Sequence, residues 1–168
     1  YKVGLIGTIE AIIGEESIPA SNTTPESYLV QEYFRKMVDA GCDCVVMEVS
    51  SQGLMLHRTQ GFVFDYGIFT NIEPDHIGPN EHADMEEYMY CKSLIFKQSK
   101  IGFVNEDSPR AVEIAKQAAC PVEYYSLKRL ENMKEKLSAN KINNILHKNK
   151  KQVLEKSKNL EPNDLKLK

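Results

Sequence analysis

Short apolar runs alternate with stretches of helical periodicity over the first 125 residues. Residues 2–6 read as a strand, ended by Gly7 and Thr8. Residues 10–13 and 17–20 read as a hairpin around the turn Gly14-Glu15-Glu16. Thr24 offers a helix cap, and Pro25 suits the first helical position. Leu29, Tyr33, Met37 and Val38 then recur at helical spacing, with Gly41 as the stop. Residues 44–49 form a continuous apolar run, the pattern of a strand covered on both faces. A short helix or loop follows through His57 and Arg58 and breaks at Gly61. Residues 64–72 predict a strand, 86–97 a helix and 101–104 a strand. Ser108 and Pro109 open a helix to about Ala119, and residues 122–125 predict the last strand. This alternation predicts an α/β fold with a doubly wound, mostly parallel sheet.

Length and composition narrow the class. The chain has 168 residues, 42% of them hydrophobic, enough for one domain with a real core. No apolar run approaches the roughly 20 residues that span a membrane, so no membrane partner is expected. The opening Tyr1-Lys2-Val3-Gly4 carries neither a signal-peptide pattern nor an initiator Met. A cytoplasmic protein truncated at its amino terminus is the expectation. The four cysteines (Cys42, Cys44, Cys91, Cys120) lack metal-ligand spacing and read as reduced thiols.

Charge divides the chain. Residues 127–168 hold 12 Lys/Arg against 5 Asp/Glu, while residues 1–126 hold 9 against 19. The basic part contains no Phe, Tyr or Trp. The expected organisation is an α/β domain over 1–126 and a Lys/Asn-rich tail over 127–168, helical or disordered. Lacking aromatics and any recognisable motif, the tail predicts no nucleic-acid partner.

The polar residues gather at strand ends. Thr8, Glu48 with Ser50, the segment from Asn71 to His76, and Asn105 with Asp107 all fall at or just past carboxyl ends of predicted strands. That is the rim where open α/β sheets take ligands. Glu48 is a charge inside an apolar run, out of place unless it points into a site. Lys92 sits among Tyr88, Tyr90, Cys91, Leu94 and Ile95 and should be half buried, which lysine seldom is without a partner. A carboxylate and an imidazole, Glu48 and His76, form a lean set for a divalent ion. A lysine amine that captured CO₂ would supply a further carboxylate. His57 and His82 read as structural or surface residues.

Five motifs in register carry a resemblance. They are Gly4-Leu5-Ile6-Gly7-Thr8; Asn22-Thr23-Thr24-Pro25-Glu26-Ser27; Met47-Glu48-Val49-Ser50-Ser51 with Arg58 after it; Thr70-Asn71 with Asp75-His76; and Tyr88 to Lys92 with Phe96. Together they resemble the central domain of the Mur ligases over about residues 1–126. The pattern is most similar to the branch that adds the third amino acid to UDP-N-acetylmuramoyl-L-alanyl-D-glutamate in peptidoglycan precursor synthesis, which serves the cell wall, cell shape and cell division. The resemblance implies ATP as co-substrate, Mg²⁺, an acyl phosphate on the peptide carboxylate, and its displacement by an amino acid. It implies that Asn22, Thr23, Thr24, Ser50 and Arg58 bind the muramoyl peptide and that Glu48 and His76 hold Mg²⁺. It also implies that Lys92 is carbamoylated and helps place a second ion, and that the protein is a monomer.

The chain also departs from the family pattern. The phosphate loop GxxxxGK[ST], which the family carries on a strand and helix just before this stretch, does not occur in these 168 residues. Gln52 stands where many members have His, and Leu56 where a substrate-contacting Gln is common. The chain alone is therefore expected to be inactive as a ligase. A non-catalytic muramoyl-peptide-binding module is the alternative. A folylpolyglutamate-type ligase is another, which the Asn22-Thr23-Thr24 turn argues against.

Overall fold

The computed structural model describes residues 1–79 and 81–129. The expectation for the basic tail falls almost wholly outside them. The chain divides into two compact units, Tyr1–Tyr125 and Ser126–Lys168, and the fold and the site belong to the first.

The described residues form seven strands and four helices. Strands β1 (Val3–Ile6), β2 (Glu10–Ile13), β3 (Glu16–Pro19) and β4 (Cys44–Met47) make one sheet in the order β3-β2-β1-β4. The β2–β3 hairpin and the β1–β2 pair are antiparallel, and β1 runs parallel to β4 with Ile6 opposite Met47. Strands β5 (Phe64–Phe69), β6 (Ser99–Asn105) and β7 (Val122–Tyr125) make a second, wholly parallel sheet. Helices α1 (Ser27–Asp39), α2 (Ser51–Met55), α3 (Met85–Ser93) and α4 (Ala111–Ala115) connect the strands, and a 3₁₀ turn, Leu94–Lys97, follows α3. This is the α/β architecture that the pattern predicts. Among the described residues no helix is long and apolar enough to cross a membrane.

Each sheet has its own core. Tyr33 and Met37 of α1 cover Ile6, Ala11 and Ile13 of the first. Under the second, Phe69 and Val104 pack with Tyr88, Met89, Ile95, Phe96, Ala111 and Ile114. Phe96 is completely buried because β6 carries Gly102 beneath it. A Cβ there would lie 2.6 Å from the Phe96 ring, so only glycine lets the two approach.

Two expectations change. The α4 helix is shorter than the pattern implies. Arg110 adopts a left-handed φ of 60° before it, which delays its start to Ala111, and it ends at Ala115 with Lys116 as its C-cap. The apolar run of β4 is not covered on both faces. Val46 is 57% exposed, and β4 and β5 are the end strands of their sheets. They flank a cleft of about 750 Å³ that also takes in Thr70, Asn71 and Lys92.

Candidate functional site

The turn at residues 22–24 leads from β3 to α1; Thr24 bonds the Glu48 backbone directly, and Thr23 reaches the Glu48 carboxylate only through Thr8. Thr24 was expected to cap α1, but the cap position is Glu26. Thr24 is instead fully buried, and its hydroxyl donates to the Glu48 carbonyl (3.2 Å) while accepting the Ser50 N–H (2.8 Å). Thr23 meets the Thr8 hydroxyl at 3.1 Å, and Thr8 meets Glu48 twice. The Thr8 N–H (2.8 Å) and its hydroxyl (2.5 Å) both donate to Glu48 Oε2. Asn22 is exposed on the same turn. Ser50 is spent as the N-cap of α2, accepting the Gly53 N–H at 3.0 Å.

Arg58 completes this half of the site. Its Nη1 donates to the Thr24 carbonyl (3.1 Å) and its Nη2 lies 2.6 Å from Glu26 Oε1. Its side chain is 16% exposed, and its Nε is buried without a partner. A guanidinium held against the turn by two of its N–H groups keeps others for a carboxylate or phosphate.

Gly53 makes room for this arrangement, since a Cβ there would lie 2.7 Å from Thr24 Cβ and Cγ2. Gly53→Ala should destabilise the chain by about 1.5 kcal/mol through overpacking. The urea midpoint measures that loss, and loosened Thr24 bonds should weaken ligand binding at the turn in the same variant.

The other half of the site is the loop after β5. His76 is exposed at a left-handed φ of 57°, its N–H bound to Asp75 Oδ1 (2.8 Å) and its Nδ1 3.4 Å from Glu81 Oε1. Lys92 on α3 is half buried, as its apolar neighbours predict, with Nζ 5.1 Å from the centre of the Tyr88 ring. Burial holds its pKa below the usual lysine value, which favours the neutral amine that CO₂ capture requires.

His82, read as a structural or surface residue, is structural: it is wholly buried, and His76 and Lys92 are close enough to act on its charge. Its Nε2 is 2.8 Å from Ser51 Oγ, and its ring stacks on Tyr88 at 5.0 Å. Its N–H donates to the His76 carbonyl, closing the loop. Its Nδ1 has no hydrogen-bond partner and lies 4.0 Å from Glu87 Oε2. A sequence signal for this position exists. Asp84 caps α3 by accepting the Glu87 N–H, and Glu87 reaches back to the Ala83 N–H. In such a capping box the residues just before the helix pack onto its first turn, here onto Tyr88.

The Ser51–His82 bond ties α2, which follows Glu48, to the His76 loop. Asn105 does not join them; its side chain donates to the Thr70 carbonyl. Among the described residues no three His, Cys, Asp or Glu side chains converge as a metal cage. Glu48 takes both Thr8 bonds on Oε2, which leaves Oε1 for a cation. Mg²⁺ is usually held by one or two carboxylates, with waters and substrate phosphates completing its shell. Glu48 Oε1 and the His76 imidazole are single donors of the kind such an ion accepts, with waters and phosphates left to complete its shell.

A family model, Mur ligase middle domain, matches residues 1–166. The chain is similar to the UDP-N-acetylmuramoyl-L-alanyl-D-glutamate–2,6-diaminopimelate ligase of Streptomyces coelicolor, 43% identical over 74% of this chain and 25% of that relative. It is 40% identical to the ligase of the same name from Geobacillus thermodenitrificans, over 76% of this chain and 27% of that one. A solved structure of such a ligase superposes with a TM-score of 0.66 at 22% identity, over 75% of this chain and 26% of the other, a likeness of fold. The chain spans about a quarter of the length of these relatives.

Proposed function

As the chain belongs to the Mur ligase family, we propose that it forms part of an ATP-dependent ligase acting on UDP-N-acetylmuramoyl-L-alanyl-D-glutamate. In this reading the peptide carboxylate takes the γ-phosphoryl group of ATP, and an amine then attacks the acyl phosphate and releases phosphate. The names of the relatives support 2,6-diaminopimelate as the amine, with the protein acting as a cytoplasmic monomer.

One observation carries the reading: the Asn22-Thr23-Thr24 turn, Arg58 and Glu48 form a single hydrogen-bonded unit. The turn and Arg58 would hold the anionic peptide, Arg58 through its remaining N–H donors. Thr24 is buried, so its role is to keep Glu48 and Ser50 in register with the turn. Ser50 would likewise act through the α2 terminus that it caps. Glu48, His76 and a carbamoylated Lys92 would hold Mg²⁺, which when bound neutralises charge on phosphate oxygens. The carbamate forms when the neutral Lys92 amine attacks CO₂ and loses a proton.

The test is calorimetric titration of UDP-N-acetylmuramoyl-L-Ala-D-Glu into this chain, with and without Mg²⁺. Saturable binding that Mg²⁺ tightens is the expected result. No binding by a folded chain would leave the motifs as scaffold only. A second reading, peptide binding without turnover, is favoured for these 168 residues by their lack of a GxxxxGK[ST] loop, whose backbone N–H groups and Lys cradle ATP phosphates. The chain alone should therefore release no phosphate from ATP when peptide and diaminopimelate are added. A phosphate-release assay that found turnover would remove this second reading.

A further inference from the structure

Thr8 has no role in the function proposed above, yet it is the hinge of the first half of the site. It lies in the connection after β1, where the Gly7 N–H pairs with the Glu10 carbonyl and the Glu48 N–H with the Ile6 carbonyl. That backbone pairing fixes Thr8 beside the residue that follows β4. Its N–H and hydroxyl then converge on one oxygen of Glu48.

Proton counting fixes the direction of the chain of hydroxyls. An ionised carboxylate only accepts, and a hydroxyl has one proton to give. The Thr8 proton goes to Glu48 Oε2 at 2.5 Å, so the Thr23 hydroxyl must donate to Thr8 across the 3.1 Å contact. Bonds in such a chain polarise one another. Thr23 then meets a ligand as an acceptor. Whatever fixes the turn also fixes the Thr8 hydroxyl and, through it, the orientation of the carboxylate.

We propose that Thr8 is a positioning residue that couples occupancy of the turn at residues 22–24 to cation binding at Glu48. This rests on the reading of Thr23 as a peptide contact and of Glu48 as a Mg²⁺ ligand. A bound muramoyl peptide immobilises Thr23, the relay holds Glu48 Oε2, and Oε1 is presented to the ion. By linkage the ion tightens the peptide by the same factor. Some gain comes from the charge of the peptide itself, so the contribution of Thr8 is the part that its hydroxyl carries.

The experiment is calorimetric titration of Mg²⁺ into this chain, with and without saturating UDP-N-acetylmuramoyl-L-Ala-D-Glu. It compares the unsubstituted chain with Thr8→Val, Thr8→Ser and Glu48→Gln. Valine keeps the backbone N–H and the branched shape and removes only the hydroxyl. Peptide should raise Mg²⁺ affinity about tenfold in the unsubstituted chain. Thr8→Val should cut that gain about fivefold, the scale of one hydrogen bond, and Thr8→Ser should restore it. Urea midpoints should stay unchanged in both, because Thr8 is exposed. A full gain in Thr8→Val overturns the proposal, as does an equal loss in the serine variant or no gain in the unsubstituted chain. Glu48→Gln separates the two levels. Should it leave Mg²⁺ binding intact, the metal reading itself falls; should it abolish binding while Thr8→Val keeps the full gain, only the relay falls.

Discussion

Arg58→Ala is expected to bind UDP-N-acetylmuramoyl-L-Ala-D-Glu about a hundredfold more weakly than the unsubstituted chain, which corresponds to about 2.7 kcal/mol. Two losses add. The first is the guanidinium that faces an anionic ligand; hydrogen bonds to charged groups contribute about 1.5–3 kcal/mol each. The second is local order. Arg58 holds the Thr24 carbonyl and Glu26 together, and removing it frees the turn that carries Asn22 and Thr23. Arg58→Lys separates the two, because an ammonium keeps the charge without the planar fork; about a tenfold loss is expected there. Calorimetry on both variants, beside far-UV circular dichroism to establish folding, is the measurement. Unchanged affinity in a folded Arg58→Ala chain would make Arg58 a scaffold residue and remove it from the substrate site.

The reason for confining this effect to the turn lies in exposure. The i,i+4 pairs of α1, Arg35–Asp39 and Lys36–Glu32, are solvent-exposed and contribute little. Arg58 is held in a nearly buried position, where truncation leaves a carbonyl and a carboxylate without their cation. Geometry alone distinguishes it from the other surface cations.

Residues whose chemistry clashes with their neighbourhood were legible in the sequence. Glu48 stands out as a charge inside an apolar run, and Lys92 as a cation among aromatic and aliphatic neighbours. Both lie where that reasoning puts them, Glu48 just past β4 and Lys92 half buried on α3. Pairing across sequence distance was not legible. Thr24 has every local feature of a helix cap, but Glu48 and Ser50 compete for its hydroxyl and win, which shifts the cap to Glu26. The apolar run of β4 predicts cover on both faces. Periodicity reports what the side chains need, not what lies against them, and here they face a cleft. The structural role read for His82 holds, but its full burial was not legible, because a single histidine in a polar loop carries no burial signal; only the capping box two residues later points to its packing.

His82→Ala should therefore destabilise the chain by about 3 kcal/mol, through a lost buried ring and a Ser51 hydroxyl left without its partner. The effect also has a pH signature that cavity formation lacks. Burial holds the pKa of His82 below its ordinary 6.5; His76 and Lys92 push the same way, while Glu87 and Glu81 oppose them. The unfolded chain thus takes up this proton at a higher pH than the folded chain. Stability that is intact above about pH 6.5 is lost as pH falls through that value, because only the unfolded state gains the proton there. His82→Gln keeps a polar group within reach of Ser51 and cannot titrate. Its urea midpoint should fall less than that of the unsubstituted chain between pH 7.5 and 5.5, and the difference isolates His82 from His57 and His76. Parallel pH profiles for the two chains would mean that His82 charges freely in the folded state, and the buried clasp between Ser51 and Tyr88 would then open without loss.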